Sequence, residues 1–241
     1  MWFSGDASET PFTMFSLQHG IMIVILFVIT AGFYAAGRLK GAASYRKTEI
    51  ILGLSLVLFE LGYHGWLIST GNWNVSHALP LELSNISVLL VIILLLTGNR
   101  HLFELVFMAG IGGALQALVT PVLDYGWPHF RFWHFFYTHM MVIWAAFYFL
   151  WMRQYSLTFK SVWKSLIFLN VLLPVIYAVN LATGGNYWFI MRKPSGASLL
   201  DFLGPHPWYL LGMEAAALIF FTVLWLLFGE KKAETKLKTS L

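Results

Sequence analysis

The sequence predicts an all-α polytopic membrane protein with seven transmembrane helices, its N-terminus outside and its C-terminus cytoplasmic. Three observations lead there. Of 241 residues, 59% are hydrophobic and only 11% are charged, a composition remote from that of a soluble domain. Apolar runs of about 20 residues recur along the whole length, each long enough to cross a hydrocarbon layer roughly 30 Å thick. The basic residues fall into alternate loops with a strong bias to one set.

The first span, 17–37, follows Asp6 and Glu9 with no Lys or Arg before it, so it lacks the basic leader of a secretory signal. The second, 48–70, is interrupted by Glu60 and His64, four apart and therefore on one face. The third, 79–97, carries Pro80 in its first turn, where proline is well tolerated. Glu82, Ser84 and Asn85 then occupy an arc of roughly 160°, at about 100° per residue. Thr97-Gly98-Asn99-Arg100 is all that separates this span from the fourth, 101–118, and predicts a tight helical hairpin. The fourth span sets Ala109, Gly110, Gly113, Ala114 and Ala117 at packing intervals that let helix backbones approach closely in lipid.

The fifth span, 132–152, brings Arg131, His134, Thr138 and His139 into an arc of roughly 140° that continues inward as Val142 and Ala145. The sixth, 161–183, and the seventh, 207–228, complete the set, with Glu214 in the second turn of the last. Between them, 184–206 is too long for a plain hairpin and too aromatic for a tether. Trp188, Phe189, Trp208 and Tyr209 suit a headgroup layer, so the segment is expected to lie on the outer face as a lid. All seven spans belong to one membrane domain covering 1–241.

Direction follows from charge. One set of loops and the tail hold Arg38, Lys40, Arg46, Lys47, Arg100, Arg153, Lys160, Lys164, Lys231, Lys232, Lys236 and Lys238. The opposite set holds only Arg131, Arg192 and Lys193. The heavily basic side is the cytoplasmic one. The net charge of +4 is spread over short loops, which excludes nucleic acid as the partner and leaves membrane lipids. With no cysteine in the chain, disulfides, thiolate metal sites and a cysteine nucleophile are excluded. No metal site or cofactor is expected.

Ionisable residues in hydrocarbon cost about 2.5–3.5 kcal/mol each on insertion scales and are retained mainly where they function. Seven of the eight histidines fall in the predicted outer half, all but His101. Glu60, His64, Glu82, Asn85, His134, Thr138, His139 and Glu214 sit at similar depth in several spans, which predicts a polar cavity open to the outside. Neutral histidine near a hydroxyl is the minimal equipment for acyl transfer. His139 and Ser84 are the predicted catalytic pair, with Thr138 and Thr183 as weaker hydroxyls. Asn85, Asn180 or Asn186 would face a developing oxyanion. Arg192 and Lys193 would hold a phosphate, with Tyr187 and Asp201 beside them. His129 and His206, at span ends, are expected to contact headgroups.

Several stretches carry a family resemblance. They are Leu79-Pro80-Leu81-Glu82-Leu83-Ser84, Phe135-Phe136-Tyr137-Thr138-His139, and Asn180-Leu-Ala-Thr-Gly-Gly-Asn186-Tyr187. A fourth runs from Lys193-Pro194 through Ser198-Leu199-Leu200-Asp201 to Gly204-Pro205-His206-Pro207-Trp208-Tyr209. In these the chain resembles the YwaF-type integral membrane family of bacteria, related to the eukaryotic transmembrane protein 164 family. The resemblance implies phospholipid acyltransferase activity, as viewed for the eukaryotic relatives. A more remote clan contains membrane hydrolases using a Thr or similar nucleophile with a His. His139 corresponds to the family histidine. Many relatives have Cys, the proposed nucleophile, where this chain has Ser84. Serine is far less acidic than a thiol and depends more on a general base.

The expected function is therefore acyl transfer or lipid hydrolysis at the outer leaflet of a bacterial plasma membrane, on phospholipids or lipoproteins. Two other classes stand beside it. A proton-coupled transporter would run through Glu60, Glu104 and Glu214, and a non-catalytic sensor or scaffold would need no such path.

Overall fold

The computed structural model describes residues 1–40, 45–194 and 199–230. Lys231, Lys232, Lys236 and Lys238 of the basic tail, and Ser198 of the fourth motif, lie outside the described residues. Within them the chain is helical, with no β-strand beyond a bridge between Pro11 and Tyr125. The long helices are α1 (Leu17–Lys40), α2 (Arg46–Ser69), α3 (Leu83–Thr97), α4 (Arg100–Val119), α5 (Phe130–Trp151), α6 (Phe159–Thr183) and α7 (Trp208–Phe228).

Five of these, α1, α2, α4, α6 and α7, are long and apolar enough to cross a membrane. The third predicted span is shorter than its apolar run. Residues 79–82 form a turn, Glu82 is the N-cap residue, and the helix proper has 15 residues, about 22 Å at 1.5 Å per residue. Pro80 thus precedes the helix rather than opening it. The predicted hairpin is present. Gly98 ends α3 in the left-handed region at φ 69°, which glycine adopts without penalty. Asn99 caps α4 by accepting from His101 N at 2.8 Å and Leu102 N at 3.4 Å.

α5 is the hub. It packs against α1, α2, α3 and α4, and 13 of its 22 residues are buried, so its polar side chains face protein. α1, α6 and α7 instead expose apolar side chains such as Val24, Phe27, Ile167 and Leu227, the surface a helix in lipid presents. Small residues in α4 serve packing. A Cβ on Gly110 would fall 2.9 Å from Val142 Cγ1 of α5 and 3.6 Å from Ser87 Cβ of α3, and one on Gly112 would meet Phe220 of α7 at 3.0 Å. Gly110 closes a π-helical turn, Val106–Gly110, whose five residues are all buried. The sequence pattern gave no sign of that turn.

The N-terminal segment folds across one end of this bundle. Phe12 N donates to Asp124 O at 2.9 Å, Gly126 N to Thr10 O at 2.6 Å, and Phe130 N to Trp2 O at 2.8 Å. Trp66 Nε1 of α2 reaches Phe3 O at 3.2 Å. At the opposite end, Tyr155 OH donates to Gly98 O at 2.6 Å, tying the α5–α6 connection to the α3–α4 hairpin.

Candidate functional site

The polar residues predicted to share one cavity fall into separate groups at the end covered by the N-terminal segment. The first joins α2 to α5. His134 Nε2 is 2.9 Å from Glu60 Oε1, and His134 Nδ1 is 3.1 Å from Arg131 Nη1. A guanidinium can only donate, so Nδ1 accepts and the ring proton sits on Nε2, directed at the Glu60 carboxylate. The Arg131 guanidinium also lies 4.7 Å from the Tyr63 ring centroid, a cation–π distance. Glu60 therefore pairs across helices with His134. Its sequence neighbour His64 turns to the following loop, where it accepts from Trp73 Nε1 at 3.2 Å.

His139, one turn further along α5, is 8% exposed. Its Nδ1 lies 2.7 Å from the Phe135 carbonyl oxygen. A carbonyl only accepts, so Nδ1 carries the proton and the lone pair of the neutral ring is on Nε2, the form a general base requires. Thr138 spends its hydroxyl proton on His134 O at 2.8 Å, and Thr183 on Val179 O at 2.8 Å. That leaves both poorly placed as nucleophiles. Ser84 Oγ has only a long contact, 3.3 Å to Asn85 Oδ1.

The Gly110 junction relates Ser84 to His139. α3 and α5 run parallel, because α4 returns between them, and at Gly110 a Cβ would crowd Val142 and touch Ser87. Ser84 and His139 each stand three residues toward the N-terminal end from that junction, about 4.5 Å along their axes.

The lid segment is docked on the same end. Asn180 grips Tyr187 twice, donating to Tyr187 O at 3.0 Å and accepting from Tyr187 N at 2.8 Å. Tyr187 OH donates to Val75 O and accepts from Leu79 N. Trp188 donates to Leu81 O at 2.7 Å through Nε1 and to Glu82 Oε2 at 3.2 Å through its backbone N. Asn186 donates to Arg192 O and accepts from Met191 N. Asn180 and Asn186 thus hold the lid through both ends of their amides, each NH2 spending one of its two protons there. Lys193 sits 3.7 Å from Asp201. Glu82, Asn186 and Arg192, with Ser76, His77 and Phe189, line a cavity of about 300 Å³ under the lid. A second cavity of about 480 Å³ opens beside Arg131. His139 and Ser84 line neither of these two.

The acids predicted for a proton path are dispersed. Glu60 binds His134 between α2 and α5, Glu104 binds Lys164 Nζ at 2.8 Å between α4 and α6, and Glu214 accepts from Asn170 Nδ2 at 2.7 Å between α6 and α7. Each acid serves a different helix pair. Among the described residues, no three His, Asp or Glu side chains gather to hold a metal ion.

Two expected headgroup histidines differ in fate. His129 is fully buried; its Nδ1 accepts from Arg131 N at 3.0 Å and its Nε2 faces Ser4 O at 3.0 Å. Burial holds its imidazole below the ordinary histidine range. It is a helix cap rather than a lipid contact. His206 remains exposed, beside Tyr209. The far end holds a cluster the sequence reading missed. Buried Glu49 accepts from Tyr148 OH at 2.6 Å, Arg153 Nη1 at 2.9 Å and Arg46 Nη1 at 3.2 Å. Its signal was a lone acid in the first turn of a span flanked by basic loops.

The helical hub, the apolar flanks and the order of motifs agree with one family. The chain belongs to the TMEM164 family, whose model matches residues 14–225. No curated protein and no solved structure matches it. The matched range begins before α1 and ends within α7, so the family extends over the α5 hub, the Ser84 turn and the lid alike. As a TMEM164 family protein, the chain is a multi-pass membrane protein.

Proposed function

We propose that this TMEM164 family protein is a membrane-embedded acyltransferase or lipid hydrolase in which His139 moves the proton. The observation that carries the reading is the His139 ring, fixed by the Phe135 carbonyl at 2.7 Å so that Nε2 is the base. Burying a histidine in the most enclosed helix of a membrane bundle is costly without a use for it.

In this reading Nε2 takes a proton from Ser84 or from an incoming acceptor as that oxygen attacks an ester carbonyl, then returns it to the departing oxygen. The Asn85 amide N–H group is the side-chain donor nearest in sequence for the developing oxyanion. Two further expectations belong to the same reading. α3 and α5 complete seven spans beside the five apolar helices, and the basic α1–α2 and α5–α6 connections lie in the cytoplasm, which puts the N-terminal segment and the lid outside. The membrane is then a bacterial plasma membrane, and the acyl groups come from outer-leaflet phospholipids or lipoproteins.

The test is acyl transfer or fatty-acid release by the purified protein in phospholipid nanodiscs, read by mass spectrometry. His139→Ala is expected to lose at least about 100-fold, the lower range for a general base. Ser84→Ala separates an acyl-enzyme route, which it abolishes, from direct activation of the acceptor, which it spares. Lipids left unchanged by the wild-type protein sink the proposal.

A further inference from the structure

The larger cavity, about 480 Å³, lies between the end of α2, the 71–77 loop and the 122–125 loop. It has no part in the proposed acyl chemistry. Its wall combines the phenol and indole rings of Tyr63, Trp66, Trp73 and Tyr125 with the His77 imidazole, the Arg131 guanidinium and the Asp124 carboxylate. The described ion pairs include none between Arg131 and Asp124, so the two charges face one space without neutralising each other.

Arg131 is unusually well held. Its Nη1 is bound by a histidine 5% exposed, whose other nitrogen is bound to Glu60. Tyr63 supports the guanidinium at 4.7 Å, Phe135 lies 5.6 Å from it, and Tyr63 stacks on His134 at 4.4 Å. A carboxylate–imidazole–guanidinium line with its imidazole buried is the arrangement that fixes a binding arginine in one orientation, leaving the rest of its fork to recognise an oxyanion. An aromatic wall facing an isolated carboxylate suits an organic ammonium, through the ring faces and the opposite charge. A simple dianion would be repelled by Asp124.

We infer that this cavity binds a small zwitterion, its phosphate or carboxylate on Arg131 and its ammonium against Asp124 and the indole and phenol rings. The inference is independent of the role of His139. The ligand is either a soluble zwitterion or the headgroup of a zwitterionic lipid.

Trp66 and Trp73 supply the readout. Tryptophan emission of the full-length protein in detergent is titrated with phosphorylethanolamine, glycine betaine and inorganic phosphate. A lipid arm compares nanodiscs of phosphatidylcholine with nanodiscs of phosphatidylglycerol. The expected result is a saturable change with a soluble zwitterion, or, for a headgroup source, a change specific to phosphatidylcholine nanodiscs. Arg131→Lys keeps the charge but not the fork and weakens binding at least 10-fold; Arg38→Gln, at the far end of α1, leaves it intact. Should the arginine variant fail to fold, Asp124→Asn, outside every helix, decides: zwitterion binding falls while inorganic phosphate binding rises. The idea is overturned by no saturable change with any probe, by phosphate binding as tight as zwitterion binding, or by Asp124→Asn shifting both in the same direction.

Discussion

His134 Nε2 and Glu60 Oε1, 2.9 Å apart, form a polar link between α2 and the α5 hub, and Arg131 at 3.1 Å fixes which nitrogen carries the proton. Because one ring answers to both charges, the three residues act as a unit. Glu60→Gln leaves the imidazole N–H facing a weaker acceptor, and His134→Phe strands the carboxylate. Each single change is expected to destabilise by about 1–3 kcal/mol, the cost of an unsatisfied buried group. The double variant should cost clearly less than the sum, a non-additivity expected of residues in direct contact. Reversible unfolding in mixed micelles measures the cycle. Strict additivity would mean that the link contributes nothing.

At the other end, Glu49 gathers Tyr148, Arg153 and Arg46, while Arg46 also donates to Leu95 O at 2.6 Å and to Leu96 O. A single carboxylate thereby joins α2, α5 and the C-terminal carbonyls of α3. Tyr148→Phe removes one charge-assisted bond and is expected to cost about 1.5–3 kcal/mol. Glu49→Gln should cost at least as much, since Arg153 and Arg46 lose their carboxylate together. The same unfolding assay reads both, and an unchanged midpoint for Glu49→Gln would show the cluster to be idle.

The Gly110 contact makes a steric prediction. Its missing Cβ would sit 2.9 Å from Val142 Cγ1, too close for the π turn and α5 to keep their spacing. Gly110→Ala is expected to cost about 1–3 kcal/mol by overpacking, and Val142→Ala in the same chain should restore part of it. Gly113→Ala, whose Cβ would meet Leu83 no nearer than 3.8 Å, should be tolerated. Because Ser84 and His139 flank the junction, Gly110→Ala should also lower any acyl-transfer rate more than Gly113→Ala does.

Most of the architecture was legible because hydrocarbon imposes a simple rule on length and polarity. The α3–α4 hairpin was readable from Gly98 and Asn99, whose roles as a left-handed stop and an N-cap are local. The small-residue face of α4 was readable for the same reason. Pairings between helices were not. Spacing put Glu60 on one face with His64, but whether that face meets α5 depends on helix rotation, and the structure gives His134 as the partner. The lid-holding bonds of the Asn180 and Asn186 amides were hidden because a sequence does not reveal which backbone groups in a long loop need partners. The N-terminal segment, with its bridge to Tyr125, carried no periodic signal at all. Its register is set by backbone bonds, which any residues supply.

His129 gives the pH prediction. Its Nδ1 accepts the Arg131 N–H at the start of α5 and its Nε2 faces Ser4 O, so the folded protein needs the neutral ring, and burial keeps the group below its ordinary range. Unfolded, it titrates near about 6.5. Above that value the ring is neutral in both states and its contribution is fully present. As pH falls below it, the unfolded chain takes up a proton that the folded chain refuses, and stability declines until the lower folded value is passed. A proton on Nδ1 would also cancel the cap on Arg131 N and loosen the first turn of α5, where Phe130 N holds the N-terminal segment through Trp2 O. The expected outcome is faster protease cleavage within residues 1–12 as pH falls below about 6.5. His129→Asn, which keeps an acceptor for the cap without a titrating group, should flatten that dependence. A wild-type cleavage rate constant across this range would remove His129 as its source.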